Sequence, residues 1–264
     1  MLKCLKEYGD YTVSCIDGDL GDITDFYFDD IRWTIRYMLV DTFGFWDQPC
    51  QVLVSPIAVM NRDSITHRFH LSLTQDRVQG NPRVDWSRPV SRSYDRDYHR
   101  YNDFPAYWGS SKSWGNSEYP SALAVGHWRE RPDADGSSAD AHLRSVRAIS
   151  GYHVAGIEGE IGRVRDLVID DRTWNVRYLV VDASSWWPDR SFLLAPHWIE
   201  ALSWNEAVIC ANLPRRTVCT SPEWHPGDPV ARDYETRLQH HYGSLLDREY
   251  KPMRQRTRSL RHVA

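Results

Sequence analysis

Two stretches of this chain carry the same pattern of apolar and polar positions. Thr34-Ile-Arg-Tyr-Met-Leu-Val-Asp41 and Asn175-Val-Arg-Tyr-Leu-Val-Val-Asp182 are short, rich in β-branched and aromatic residues, and apolar on both faces apart from one arginine. That pattern predicts a central strand in each stretch. Each is preceded by another strand-like run, Leu20–Phe28 and Ile161–Ile169, and the connections Asp29-Asp30-Ile-Arg-Trp33 and Asp170-Asp171-Arg-Thr-Trp174 have turn composition. Two β-hairpins follow. Gly18 and Gly21, echoed by Gly159 and Gly162, mark the turn before each hairpin and a bulge at the strand start, because glycine adopts backbone angles that other residues avoid. Shorter strands are predicted at Gln51–Val54 and Phe69–Leu73, and at Phe192–Ala195 and Val208–Leu213.

The pattern repeats because the sequence does. Residues 10–41 match residues 151–182 at 13 of 32 positions at a constant offset of 141. A one-residue deletion then shifts the offset to 140, and the register persists through Pro56/Pro196, Val78/Val218 and Tyr94/Tyr234. A period this long means two globular units, since solenoid repeats recur every ~20–50 residues. Several short strands per copy predict a mainly β fold with two small barrels in tandem, each followed by a short helix. The helical stripes are Tyr94, Tyr98, Tyr101 and Tyr234, Leu238, His241, read as packing back on their own barrels. The expected organisation is a first barrel with helical tail over 1–102, an aromatic-rich linker over 103–142, a second barrel with helical tail over 143–243, and a basic tail over 244–264. Pure spacers lack aromatics, so part of Pro105–Trp114 is expected to pack on a barrel.

Composition narrows the function. With 41% hydrophobic and 26% charged residues the chain is ordinary globular protein, and a net charge of −4 gives no overall electrostatic reason to hold nucleic acid. Five cysteines, an odd number without a C-x-x-C, read as cytosolic usage rather than a disulfide framework. The start of the chain lacks the apolar core of an export signal, and no stretch approaches the ~18 apolar residues of a membrane span. The expectation is a cytoplasmic protein.

The residues that carry the repeat, Asp17-Gly-Asp-Leu-Gly21, Asp25-Phe-Tyr-Phe-Asp-Asp30, Trp33 and Arg36-Tyr-Met-Leu-Val-Asp41, resemble a PRC-barrel domain, and Glu158-Gly-Glu-Ile-Gly162, Asp166-Leu-Val-Ile-Asp-Asp171, Trp174 and Arg177 to Asp182 resemble it equally. The resemblance implies a small β-barrel of the kind found in the cytoplasmic part of the photosynthetic reaction-centre H chain and in the C-terminal domain of a ribosome-maturation factor. In both settings such a barrel holds another macromolecule, which implies an adaptor and not an enzyme. The H chain's N-terminal membrane helix and the ribosome factor's separate N-terminal domain have no counterpart in this sequence.

The candidate chemistry fits that expectation. Asp25, Asp29, Asp30 and Asp41 recur as Asp166, Asp170, Asp171 and Asp182. Asp29-Asp30 and Asp170-Asp171 are read as hairpin corners that accept bonds from nearby backbone. Asp25 or Asp41 is read as pairing with Arg36, and Asp166 or Asp182 with Arg177. The acidic loops lack the twelve-residue pattern of a calcium-binding EF-hand, His67-x-x-His70 has no further ligand at zinc spacing, and Gly156-x-x-Gly159-x-x-Gly162 is not a dinucleotide fingerprint. No cofactor or metal is expected. Among twelve tryptophans, Trp46, Trp108, Trp114, Trp186 and Trp187 lie outside the strand pattern and are candidates for interfaces, between the barrels or with a protein partner. The basic tail is a candidate for weak, salt-sensitive attachment to an anionic membrane face or to RNA phosphate.

Overall fold

The structure, a computed structural model, describes residues 1–44, 50–86, 89–108, 110, 112–127, 143–183 and 190–249. Trp46, Trp186, Trp187 and the tail from residue 250 onward lie outside the described residues.

The chain is mainly β and builds two seven-stranded mixed sheets. The first half supplies β1 (Leu2–Cys4), β2 (Thr12–Cys15), β3 (Gly18–Asp29), β4 (Thr34–Thr42), β5 (Gln51–Val54), β6 (Val59–Asp63) and β7 (Arg68–Leu71), then α1 (Gln75–Gln79) and α2 (Arg92–Tyr101). The second half repeats the series as β8 (Leu143–Ser145), α3 (Val146–Ile149), β9 (His153–Gly156), β10 (Gly159–Asp170), β11 (Val176–Asp182), β12 (Ser191–Leu194), β13 (Ile199–Ser203), β14 (Val208–Ala211), α4 (Arg215–Cys219) and α5 (Arg232–Glu249). The strand order is β5-β4-β3-β2-β7-β6 in one sheet and β12-β11-β10-β9-β14-β13 in the other. All neighbours are antiparallel except β2 with β7 and β9 with β14.

Chain length forces each sheet to curl. Six flat strands would place their outermost members about 24 Å apart, yet β5 and β6 lie at opposite ends of the order and are joined only by Ser55–Ala58. Such a connection spans at most ~17 Å. The edges must therefore bend towards each other, although no β5–β6 ladder is present among the described residues.

The first strand of each copy belongs to the other copy's sheet. β1 pairs with β10, Cys4 opposite Val168, and β8 pairs with β3, Ser145 opposite Tyr27. Both exchanged strands lie along the far end of a twelve-residue strand whose near end is already paired with β2 or β9, so the exchange covers backbone edges that would otherwise stay open. Carboxylates fasten the exchange. Asp25 on β3 accepts from the Arg147 N–H at 3.0 Å and from the Ser145 hydroxyl, and its twin Asp166 on β10 accepts from the Lys6 N–H at 3.3 Å.

The two sheets also bond directly where β4 and β11 begin. Ile35 N–H donates to the Trp174 carbonyl at 2.8 Å, and Val176 N–H to the Trp33 carbonyl at 2.7 Å. Trp33 and Trp174 each end a hairpin turn with left-handed φ, 52° and 59°. The glycines serve the strand starts. A side chain at Gly21 would meet the Asp41 carbonyl at 2.0 Å, and one at Gly162 the Asp182 carbonyl at 2.3 Å. Each follows a one-residue bulge, at Leu20 and Ile161, in the pairing with β2 or β9. Gly18 and Gly159 open these strands, Gly159 at φ 122°.

The helical tails pack inward. Tyr98 and Leu238 are fully buried, and the Tyr98 hydroxyl accepts from Ser55 N–H at 3.0 Å. In α5 the stripe continues to Tyr242, whose ring lies tilted against Trp198 at 4.1 Å, rather than to His241. Among the described residues no helix is long and apolar enough to cross a membrane.

Candidate functional site

The repeated Arg-Tyr pair of the central strands sits at a second bulge. Tyr27 pairs with Tyr37 and Phe28 with Ile35, so Arg36 is an extra residue in the ladder; in the second copy Val168 pairs with Tyr178 and Ile169 with Val176, leaving Arg177 extra. A bulge breaks the two-residue alternation and re-aims side chains. The tyrosine of each copy bonds to the acid of the following helix, Tyr37 to Asp95 on α2 and Tyr178 to its counterpart Glu235 on α5, and in the second copy Arg177 reaches Glu235 as well.

In the first copy this constellation is sealed. Arg36 is 1% exposed. Its guanidinium lies 3.7 Å from the centre of the Tyr107 ring and 4.7 Å from that of Trp114, and donates to the Ser113 carbonyl at 2.6 Å and to Asp29 Oδ2 at 3.1 Å. Asp95, fully buried, accepts from the Tyr37 hydroxyl at 2.5 Å, the Tyr107 hydroxyl at 2.6 Å and Arg92 at 3.0 Å. Burial, reinforced by Asp95, pushes the Tyr37 and Tyr107 hydroxyls well above the usual phenol range. Burial lowers His99 despite the nearby Asp95 carboxylate. Burial alone would raise Asp29, but the Arg36 charge, with the Ile31 and Arg32 N–H groups, outweighs it and holds the carboxyl below its ordinary range.

Arg36 thus pairs with Asp29, in place of the expected Asp25 or Asp41. The bulge accounts for the difference, since it turns the guanidinium towards the hairpin end of the strand. Asp41 instead accepts from Gln51 at 2.8 Å. In the second copy Arg177 reaches Glu235 at 3.2 Å rather than Asp166 or Asp182, and Asp182 stands 3.9 Å from Arg165. Of the hairpin acids, Asp29 and Asp170 accept from backbone two residues on, at 3.0 and 2.9 Å. Asp30 and Asp171 reach further: Asp30 accepts from Trp204 Nε1 at 3.2 Å and pairs with Arg144, and Asp171 pairs with Arg62 at 2.7 Å, so each acid grips the opposite half of the chain.

The seal comes from the segment after α2. Asp103, with φ 57°, ends the helix in the left-handed region, and Phe104 N–H returns to the His99 carbonyl at 2.9 Å. The chain then doubles back, burying Phe104, Ala106, Tyr107, Trp108 and Trp114. Trp114 Nε1 donates to the Thr173 carbonyl of the second copy's hairpin at 2.7 Å, and the turn Pro120–Ala122 packs on Pro56–Ala58. The tryptophan count signalled an interface; the sequence did not show that Trp108 and Trp114 would close over Arg36.

In the second copy the equivalent surface is a groove of about 680 Å³, lined by Arg32, Asn175, Arg177, Tyr178, Pro196 and Trp198, among others. Tyr178 donates to Glu235 at 3.0 Å, repeating the Tyr37–Asp95 bond. The Arg177 side chain is 46% exposed. Burial, with Glu235 adding to it, raises the Tyr178 hydroxyl, and burial, with Arg177 adding to it, lowers His197. This groove is the candidate site. It offers a cation, a ring and a hydrogen-bonding edge to a bound molecule. Among the described residues no group of three or more His, Cys, Asp and Glu is placed to hold a metal ion.

Compared with known protein families and with curated proteins, the chain matches none.

Proposed function

We propose that the chain is a non-catalytic adaptor of the tandem PRC-barrel kind, holding a protein partner through its paired barrels. The observation that carries this reading is the unequal state of two equivalent grooves: the one over Arg36 is filled by the chain's own aromatics, and the one over Arg177 has the same arginine, tyrosine and acid but no cover among the described residues. Pockets of ~300–1,000 Å³ are of binding size. The PRC-barrel assignment is supported by the duplicated Gly-x-x-Gly starts, the hairpin aspartates and the curl of each sheet. The protein works in the cytoplasm, with the basic tail able to hold it at the inner membrane face.

The experiment is affinity capture of the tagged, intact protein from its native cells, in low and then high salt, with mass spectrometry of what remains. One defined complex retained by the parent and lost from an Arg177→Ala variant supports the adaptor. A photosynthetic membrane complex in the eluate would make the protein a free-standing relative of the reaction-centre H chain, and small ribosomal subunits would make it a ribosome-associated factor. An eluate holding only the bait would end the adaptor reading.

A further inference from the structure

Resting on the adaptor reading, we propose that the Arg177 groove takes an extended segment of a partner protein that carries an adjacent tyrosine and tryptophan and, about six residues on, a second tryptophan. The first copy provides the template. There the segment Phe104–Trp114 places Tyr107 over Arg36, gives its Ser113 carbonyl to the same guanidinium and anchors Trp114 Nε1 on the carbonyl of Thr173, in the opposite hairpin.

Each receiving group has a counterpart in the second groove. Arg177 replaces Arg36, Tyr178 with Glu235 replaces Tyr37 with Asp95, and Arg32 stands in the opposite hairpin where Thr173 stands for the first copy. A guanidinium between aromatic rings gains by cation–π attraction and loses little on desolvation, so the half-exposed Arg177 is a ready seat for an aromatic ring. The seat is shorter than the first. Trp198 stands where the first copy has Ala58, and its ring lies on Tyr242. The place that Pro120–Ala122 takes on the first copy is thereby narrowed, and the ligand is confined to the aromatic stretch.

The chain's own C-terminus is a poor match. After α2 the chain reverses at Asp103, whereas α5 runs through the equivalent Gly243 and on to Glu249, carrying the chain about 9 Å further out. The residues beyond include Lys251, Arg254, Arg256, Arg258 and Arg261 with no acidic residue and a single aromatic, Tyr250. Such a segment brings like charge to Arg32 and Arg177 and lacks the tryptophans. A partner segment that is neutral, aromatic and free to present carbonyls fits instead.

The test uses a labelled synthetic peptide with the sequence of residues 103–118, titrated against the intact protein by fluorescence anisotropy. Saturable one-to-one binding at about 1–100 μM is expected. Arg177→Ala should weaken it at least about tenfold, Ile65→Ser on an exposed turn should leave it unchanged, and a peptide with alanine in place of Tyr107 and Trp114 should not bind. The proposal is overturned by absence of binding, by equal binding to Arg177→Ala, or by displacement with an excess of a peptide of residues 250–264, which would give the groove to the chain's own tail. Dimerisation of the protein that the 103–118 peptide reverses would give the groove to a second copy, and would equally overturn it. Failure here alongside a captured complex that depends on other surfaces would leave the adaptor standing and remove only this ligand.

Discussion

Thr34 and Asn175 occupy the same position in the two copies and bond to each other, the Thr34 hydroxyl donating to Asn175 Oδ1 at 2.9 Å across an antiparallel bridge. The residues on either side exchange backbone bonds in the same reciprocal way. The approximate twofold relation between the copies therefore passes through this pair, and both grooves are built around it. Removing one partner leaves a polar group in a tight junction. Thr34→Ala and Asn175→Ala should each destabilise by about 1 kcal/mol, and the double variant should lose less than the sum, with a coupling of about 0.5–1 kcal/mol in urea unfolding. Strict additivity would remove the pair from the junction.

The Arg36–Asp29 pair is buried on both sides. Breaking such a pair strands a charge, at a cost of about 3–5 kcal/mol. Arg36→Met should unfold at markedly lower denaturant, and Arg36→Met with Asp29→Asn should recover part of the loss. Arg177→Met, at a half-exposed site, should change stability by less than about 1 kcal/mol. Equal losses at Arg36 and Arg177 would contradict the difference between the grooves.

Asp29 and Asp166 give opposite pH dependences. The folded Asp29 carboxyl is held below its unfolded value, about 3.9, so its contribution is present above that pH and is lost as pH falls towards the folded value. Asp166 is pushed up to about 6, chiefly by burial. Its neutral form is favoured in the fold, so the associated stability is full below about pH 4 and is lost as pH rises through 6. Stability should therefore decline between pH 4 and 6 through Asp166, by about 2–3 kcal/mol, and Asp166→Asn should flatten that slope in a series of denaturant melts.

One exchange between the copies also bears on the Asp166 carboxylate. Ser145 donates its hydroxyl to Asp25, whereas the position equivalent to Ser145 is Cys4, whose own thiol is raised to about 12 by burial, with Asp166 adding to it. A hydroxyl stabilises a carboxylate better than a thiol does. Cys4→Ser should lower the Asp166 pKa from about 6 and raise stability at pH 7.5 by about 1 kcal/mol. Carboxyl NMR titration reads the first effect and thermal unfolding the second.

The sequence made the repeat, the hairpins and the central strands legible because each is written in local pattern and then written again. The ion pairs were not legible. Asp25, Asp29 and Asp41 all lie near Arg36 in sequence, and the choice among them depends on a bulge that inserts one residue at the arginine itself. The exchange of β1 and β8 was hidden for a different reason: Leu2-Lys-Cys4 and Leu143-Arg-Ser145 are three residues long, too short to state which sheet they join. The aromatics at Tyr107, Trp108 and Trp114 announced burial, but their target is fixed by the reversal at Asp103, a left-handed residue that composition does not reveal.

The exchanged strands bear on how the molecule would come apart. A protease that cut once between Gly126 and Leu143 would sever none of the described strands, yet the two fragments would stay clasped, because each carries an edge strand, β1 or β8, of the other's sheet. The nicked protein would travel as one particle through a sizing column, and two separately produced halves would each lack an edge until they were mixed.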